Sequence, residues 1–229
     1  GDPGLGALAA RQDLDHQPRP RVCAKKRRRD RLIRWADAHP DWLLGFEDEV
    51  WWSRLAAPAL HAWADGDRPL RLVEQAVAKD DRDRKALACY GVLLPATGEA
   101  WLRFLDGRPV TAVPTTFLGG CGEQAAAQGK RALLLVWDNA SWHASKEVHA
   151  WVRDHNRRVK ATGQGVRLLV CPLPIKSPWL NPIEPKWVHT KRRVVAPDRL
   201  LPARELAERV CAALDCTYHA HIPIPEKAA

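Results

Sequence analysis

The chain has 229 residues, enough for one globular domain with extensions, and its net charge of +9 favours a polyanionic partner. No apolar stretch reaches the roughly 20 residues that span a membrane, and the N-terminus lacks the pattern of a secretory signal. The six cysteines form no CxxC pair, which argues against a zinc ribbon and favours reduced thiols in a cytoplasmic protein.

The first predicted element is a basic helix. Residues 1–22 lack periodicity and are predicted to form a loose linker. From 25 to 39 the pattern becomes helical, with an apolar stripe through Leu32 and Ile33, and Pro40 ends it. A solvated basic surface is the plain alternative to a nucleic-acid contact for the cations of this helix. These cations are Lys25, Lys26, Arg27, Arg28 and Arg29.

Residues 42–52 are predicted to form a strand that carries a buried acid. Period-two alternation places one set of side chains on one face of this strand: Leu44, Phe46, Asp48, Val50 and Trp52. Glu47 and Glu49 fall on the other face. A carboxylate beside Phe and Val costs several kcal/mol unless its charge is compensated. Asp48 is therefore a candidate functional residue.

The remaining pattern predicts an α/β fold. Two apolar runs around turn residues indicate a hairpin, and strands and helices alternate after it. The predicted elements are strands at 86–94, 100–104, 131–137 and 166–171, and helices at 113–129, 145–159, 182–195 and 201–214. This order indicates a mixed sheet flanked by helices.

Two further acids stand at places where ligands bind. Asp138 ends an apolar strand, at the sheet edge where α/β proteins hold ligands, although a turn-forming Asp-Asn pair is the common alternative. Glu184 lies in the first turn of a helix, where a plain capping arrangement with Asn181 and Pro182 explains it equally well. Three carboxylates from three elements suffice to hold two Mg²⁺ ions, with Mn²⁺ as a substitute, for phosphodiester chemistry.

The chain resembles the DDE transposases of the mariner superfamily, in the insertion-sequence-630 branch. The resemblance rests on an acidic pair at Asp48-Glu49, on Asp-Asn-Ala-x-x-His from Asp138 to His143, and on Ser-Pro-x-Leu-Asn-Pro-Ile-Glu-x-x-Trp ending at Trp187. It implies an RNase H-like fold and a catalytic, metal-binding triad of Asp48, Asp138 and Glu184.

The resemblance also implies supporting roles. Residues expected to assist the triad are Glu49, Asn139, His143 and Asn181, although a lone histidine is usually structural. Trp187 is expected to pack the last catalytic helix against the sheet. Residues expected to contact DNA are the five cations at 25–29 together with Lys176, Lys186, Lys191, Arg192 and Arg193. Trp179 departs from the pattern, because relatives usually carry an acid there.

The implied function is cleavage of transposon ends and strand transfer into target DNA, by a chain that dimerises on double-stranded DNA in the bacterial cytoplasm. The expected organisation is a basic remnant of a DNA-binding region at 1–40, a catalytic domain at 41–200, and a helix with a loose tail at 201–229. The family's N-terminal helix-turn-helix region is missing, so the chain is expected to be a fragment, one product of a split reading frame, or a degraded element. A silent DNA-binding remnant and another RNase H-like nuclease are the alternatives.

Overall fold

The computed structural model describes residues 20–55, 77–107, 112–140, 143, 145–174, 177–194 and 199–224. Its elements in chain order are α1 (Pro20–Asp37), β1 (Trp42–Ser53), β2 (Ala86–Leu93), β3 (Ala100–Phe104), α2 (Ala112–Ala127), β4 (Ala132–Trp137), α3 (Lys146–Thr162), β5 (Arg167–Pro172), α4 (Ile183–Val194) and α5 (Ala203–Ala213). This order confirms the predicted one. The predicted linker was wrong for residues 20–22, which are helical, and the rest of it lies outside the described ranges.

The strands form one mixed sheet in the order β3-β2-β1-β4-β5. β1 pairs antiparallel with β2, and β2 with β3. On its other side β1 pairs in parallel with β4, and β4 with β5. The antiparallel hairpin and the helical crossovers explain this mixture, because parallel neighbours need a long connection and antiparallel ones need only a turn. The mixed sheet predicted from the sequence is confirmed.

Helices cover both faces of the sheet. On one face α2 and α3 bury side chains such as Phe117 and Val148 against Tyr90 and Leu135. On the other face α4 and α5 bury Trp187 and other side chains against the hairpin, and α1 packs over β4 and β5. β4 is buried along its whole length, as expected for a central strand with both faces covered.

Side chains on β1 alternate between these two faces as predicted. Val50 and Trp52 lie in the core beneath α4 and α5, whereas Leu43 lies in the core beneath α2 and α3. Asp48 shares the face of Val50, and Glu47 shares the opposite face. The two neighbouring acids therefore enter different environments.

The end of β1 is tied to the C-terminal part of the chain by Arg54. Its guanidinium is buried, donates to the carbonyl of Leu201 at 2.6 Å, and forms an ion pair with Asp81 at 2.7 Å. This contact holds the segment before α5 against the sheet.

All six cysteines are free thiols, and Cys89, Cys121, Cys171 and Cys211 are buried. The predicted reduced core cysteines are thus observed for these four. Among the described residues, no helix combines the length and the apolar character that crossing a membrane requires.

Candidate active site

The parallel pairing of β1 with β4 brings the first two acids to the same level of the sheet. Phe46 lies beside Val136 at the last paired position of the two strands. Two residues further along each strand stand Asp48 and Asp138. Because parallel strands keep their register, these acids fall side by side at the carboxyl edge of the sheet. Asp48 is 8% exposed, whereas the side chain of Asp138 is half exposed.

Asp48 is held by a tryptophan from α4. The indole Nε1 of Trp187 donates to Asp48 Oδ2 at 2.8 Å, and its ring packs edge-on against Trp52 at 5.8 Å between centroids. Gly91 lies opposite Asp48 on β2, and a Cβ there would stand 2.5 Å from Cη2 of Trp187. A glycine on β2 therefore makes the room in which the indole reaches the acid.

Glu184 enters the site from the first turn of α4. The start of this helix is fixed by Asn181, whose side-chain amide donates to the carbonyl of Glu47 on β1 at 3.1 Å. Asn181 Oδ1 is buried without a hydrogen-bond partner among the described residues, so the side chain does not cap the helix as the plain interpretation held. Asn181 instead anchors the N-terminal end of α4 to β1.

The three carboxylates are close enough to affect one another. Burial raises the pKa of Asp48 to about 7, and the charge of Glu184 adds to the rise. The charges of Glu47 and Asp138 contribute as well, while the hydrogen bond from Trp187 opposes them. Burial and the charge of Asp138 likewise raise the pKa of Glu184. The site therefore holds excess negative charge on three elements.

Carboxylate oxygens are the donors that hard divalent cations prefer, so the residues present fit magnesium or manganese. A divalent cation would also offset the repulsion that raises the pKa values of Asp48 and Glu184. Within the described ranges, however, no three His, Cys, Asp or Glu side chains already stand in position to ligate one ion. Asp138 Oδ1 accepts hydrogen bonds from His143 and from the backbone of Ala140 instead.

His143 bridges two acids from different strands. Its Nδ1 lies 2.9 Å from Asp138 Oδ1, and its Nε2 lies 2.9 Å from Glu47 Oε2. The imidazole stacks on Trp137, with 4.8 Å between ring centroids and 2° between planes. His143 is 2% exposed and Glu47 is 1% exposed. The predicted histidine thus contacts the site through Asp138 and is fixed on its other side by a buried glutamate.

This arrangement sets the charges of the bridge. Burial alone would lower the pKa of His143, but the charge of Glu47 and the hydrogen bond to Asp138 outweigh it and raise that pKa to about 10. Burial would raise the pKa of Asp138, yet the bonds from His143 and from the N–H of Ala140 lower it overall. Asp138 is therefore kept ionised.

Glu47 is the site residue that the sequence-based prediction missed. Alternation placed Glu47 on the opposite face of β1 from Asp48. Glu49 was predicted to assist the triad, and Glu47 was not. In the structure Glu49 accepts a hydrogen bond from the indole of Trp51 at 2.8 Å. Burial raises the pKa of Glu49 despite that bond. The sequence has three consecutive acids at 47–49, and no signal in it separates Glu47 from Glu49, which lies on the same face of β1.

Asn139 and the basic residues complete the surroundings. The side chain of Asn139 donates to the carbonyl of Leu173, which joins the segment after β4 to the one after β5.

Arg29 reaches the carbonyl of Leu180 at 3.5 Å, so the basic start of α1 lies at the edge that carries the acids. Lys191 lies near Glu184, and its positive charge opposes part of the rise in the pKa of Glu184. Lys186, Lys191, Arg192 and Arg193 are exposed on α4, and Lys176 lies outside the described residues.

A family model described as DDE superfamily endonuclease matches residues 46–206, more than half of the chain and the whole of the site. The chain belongs to the DDE superfamily endonucleases. Asp48, Asp138 and Glu184 all fall within the matched residues of this endonuclease. A search of curated proteins finds no match.

Solved structures of the Mos1 transposase share the fold of this DDE endonuclease. The Mos1 paired-end complex with left transposon end matches with a TM-score of 0.60 and 14% identity, over 89% of this chain and 57% of that one. The Mos1 strand transfer complex matches with a TM-score of 0.58 and 16% identity, over 89% of this chain and 56% of that one. The Mos1 mariner paired-end complex with Mn matches with a TM-score of 0.55 and 14% identity, over 87% of this chain and 60% of that one.

These matches confirm the RNase H-like fold predicted from the sequence. The present chain spans less than two thirds of the Mos1 chains that it matches.

Proposed function

We propose that this chain is the catalytic part of a DNA transposase of the insertion-sequence-630 branch, which cuts transposon ends and joins them to target DNA. The observation that carries the proposal is the parallel register of β1 and β4, which supports a place for Asp48 beside Asp138, with the charge of Glu184 near enough to raise the pKa of Asp48, on a chain of the DDE endonuclease family. The likeness to Mos1 complexes with transposon-end DNA supports double-stranded DNA as the substrate.

In this proposal Asp48, Asp138 and Glu184 would hold two divalent cations. When bound, such ions lower the pKa of an attacking hydroxyl and stabilise the leaving oxygen of a phosphodiester. The protein's own part is to position the three acids. Trp187 fixes Asp48, His143 fixes Asp138, and Asn181 fixes the helix end that carries Glu184. The basic residues of α1 and α4 bind the phosphate backbone and bring DNA to this edge.

The wider organisation belongs to the same proposal. Residues 41–200 act as the catalytic domain, residues 1–40 as the remnant of a DNA-binding region, and residues 201–229 as a C-terminal extension. The protein works in the bacterial cytoplasm, as a homodimer that holds two DNA ends.

The test is replacement of each acid by alanine, followed by assays of plasmid nicking and strand joining in Mg²⁺ or Mn²⁺. We expect each variant to lose on the order of 100-fold or more in rate, because each removes a carboxylate that positions the ions. Asp154→Ala, an exposed acid on α3, is the matched control and should keep the wild-type rate. Calorimetric titration with Mn²⁺ should show weaker binding by the three site variants.

Unchanged cleavage by Asp138→Ala would contradict the proposal. DNA binding without cleavage by the wild-type chain in Mn²⁺ would identify a silent remnant. Cleavage without joining would identify another RNase H-like nuclease.

A further inference from the structure

Trp179 is exposed beside the proposed active site. It lies in the 3-10 turn Pro178–Leu180, just before α4, and 76% of its surface is accessible. An exposed tryptophan leaves a large apolar area in water, and contiguous exposed apolar area marks interaction sites. Within the described ranges, the other exposed tryptophans are Trp35 and Trp51, which are accessible to 53% and 42%.

The turn that carries Trp179 is well fixed. The N–H of Leu180 donates to the carbonyl of Ser177 at 3.1 Å, and the next residue, Asn181, is bonded to β1. Arg29 of α1 reaches the carbonyl of Leu180 from the other side. The indole is therefore presented on an ordered support, as a binding platform requires.

Trp179 forms one wall of a concavity of about 480 Å³. Pro182, Pro185 and Val188 supply further apolar lining, and Val188 is 49% exposed. Glu184, a member of the proposed triad, lines the same concavity. A group bound here would touch both an aromatic plane and the carboxylate side of the site.

The charges around the concavity indicate what kind of ligand would bind in it. His189 lines it, and Lys191 and Arg192 are exposed on the same helix, one turn beyond Val188. An apolar protein segment would gain little from these cations, whereas a nucleotide carries a flat ring and a phosphate together. Aromatic side chains beside a basic track are the usual platform for unpaired nucleic-acid bases.

We propose that Trp179 stacks with an unpaired nucleobase next to the phosphate that is cut. The base must be unpaired, because a paired base is stacked on its neighbours inside the duplex and has no free face. The inference rests on the proposed function, in which Glu184 marks the reacting phosphate. It assigns to Trp179 a role in DNA-end recognition that the three carboxylates do not supply.

The test compares two DNA duplexes that differ only in one overhanging 3′ nucleotide, which carries adenine in one and no base in the other. Fluorescence anisotropy of labelled DNA, in EDTA and at low salt, measures binding without cleavage. We expect the wild-type protein to bind the adenine overhang about 10-fold more tightly than the abasic one, as base stacking on an aromatic ring predicts. Trp179→Ala should abolish this preference while leaving affinity for the abasic duplex unchanged. Trp179→Phe should keep most of it.

Trp35→Ala is the matched control, since it removes another exposed tryptophan, and it should retain the preference. A 5-iodouracil in the overhang should crosslink under ultraviolet light to the peptide that contains Trp179. The proposal is overturned if Trp179→Ala keeps the adenine preference, if the crosslink maps to another peptide, or if the variant changes the sedimentation of the free protein, which would make Trp179 a surface for self-association.

The outcome is separable from that of the proposed function, because the binding assay requires no metal and no cleavage. If the carboxylate variants cut DNA normally while the adenine preference depends on Trp179, only the catalytic assignment fails. If the carboxylate variants are inactive and the preference survives in Trp179→Ala, only the stacking proposal fails.

Discussion

His143 contacts carboxylates from two strands while almost fully buried. An unpaired charge in such a position would cost several kcal/mol, so neither the imidazolium nor Glu47 is stable there alone. Together they form a buried pair that Trp137 covers on one ring face. The second ring nitrogen, Nδ1, lies 2.9 Å from Asp138 Oδ1. The imidazole of His143, paired with buried Glu47, therefore lies against Asp138, the candidate metal ligand at the sheet edge.

The bridge predicts a pH-dependent stability of the metal-free protein. The folded-state pKa of His143 is about 10, above the usual 6.5, so the protonated form stabilises the fold. That contribution is fully present below about pH 6.5 and is lost as the pH rises towards 10. We expect the difference in unfolding free energy between wild type and His143→Gln to shrink by on the order of 3 kcal/mol between pH 6.5 and 10. Urea unfolding of both proteins in EDTA, at several pH values, measures this difference in unfolding free energy.

His189→Gln serves as the control, because His189 is exposed on α4 and lies outside the bridge. Its unfolding free energy should run parallel to that of the wild type over the same pH range. A difference between wild type and His143→Gln that stays constant with pH would show that the buried pair does not titrate as argued.

At the scale of elements, one contact between α4 and β2 depends on a glycine of β2. The indole of Trp187 occupies the space above Gly91 and reaches Asp48 from there. Gly91→Ala should lower the unfolding free energy by about 1–3 kcal/mol, because the new methyl group overlaps Trp187 and Leu102. It should also reduce cleavage, since the indole can no longer reach Asp48. Urea unfolding and the nicking assay measure these effects.

Gly119→Ala is the same chemical change, but it is expected to raise the unfolding free energy, whereas Gly91→Ala lowers it. Gly119 lies inside α2, and a Cβ there would meet its nearest neighbour, Trp151, at 3.9 Å. Alanine should therefore stabilise the protein by about 0.5–1 kcal/mol through its higher helix propensity. Equal effects of the two substitutions would disprove the packing argument for Gly91.

The elements show how far sequence reasoning reaches. Alternation along β1 placed Asp48 and Val50 on one face and Glu47 on the other, because side-chain direction in a strand is a local property. The apolar run of β4 likewise predicted a strand. The partners across the fold were not predictable in this way. Glu47 and His143 meet only after two strands and a loop have packed, and the room above Gly91 depends on the angle of α4.

Asn181 shows the same limit within one motif. Local sequence offered a capping role, which is the commonest use of an asparagine before a helix. The structure uses its amide to bond β1 instead. The choice depends on the distance between two elements, which no local pattern contains.

At the scale of the whole molecule, the basic start of α1 and the basic face of α4 belong to the same side of the sheet. α1 packs in the core that contains Phe46 and Leu180, and Arg29 reaches the turn before α4. α3 packs on the opposite face with Val148 and Val152, and its cations Arg153, Arg158 and Lys160 are exposed. Under the proposed function, DNA at the acids is therefore expected to contact α1 and α4, and not the exposed middle of α3.

This placement predicts which cations set the salt dependence of DNA binding. Replacing Lys26, Arg27 and Arg28 by glutamine should weaken binding and reduce the slope of log affinity against log salt by about 2 to 3, since each lost phosphate contact contributes about 0.9. The matched control removes the same charge from α3, by changing Arg153, Arg158 and Lys160 to glutamine, all three being exposed. Its slope should stay close to that of the wild type. If both triple variants reduce the slope equally, binding follows net charge alone, and the assignment of the DNA track to α1 is wrong.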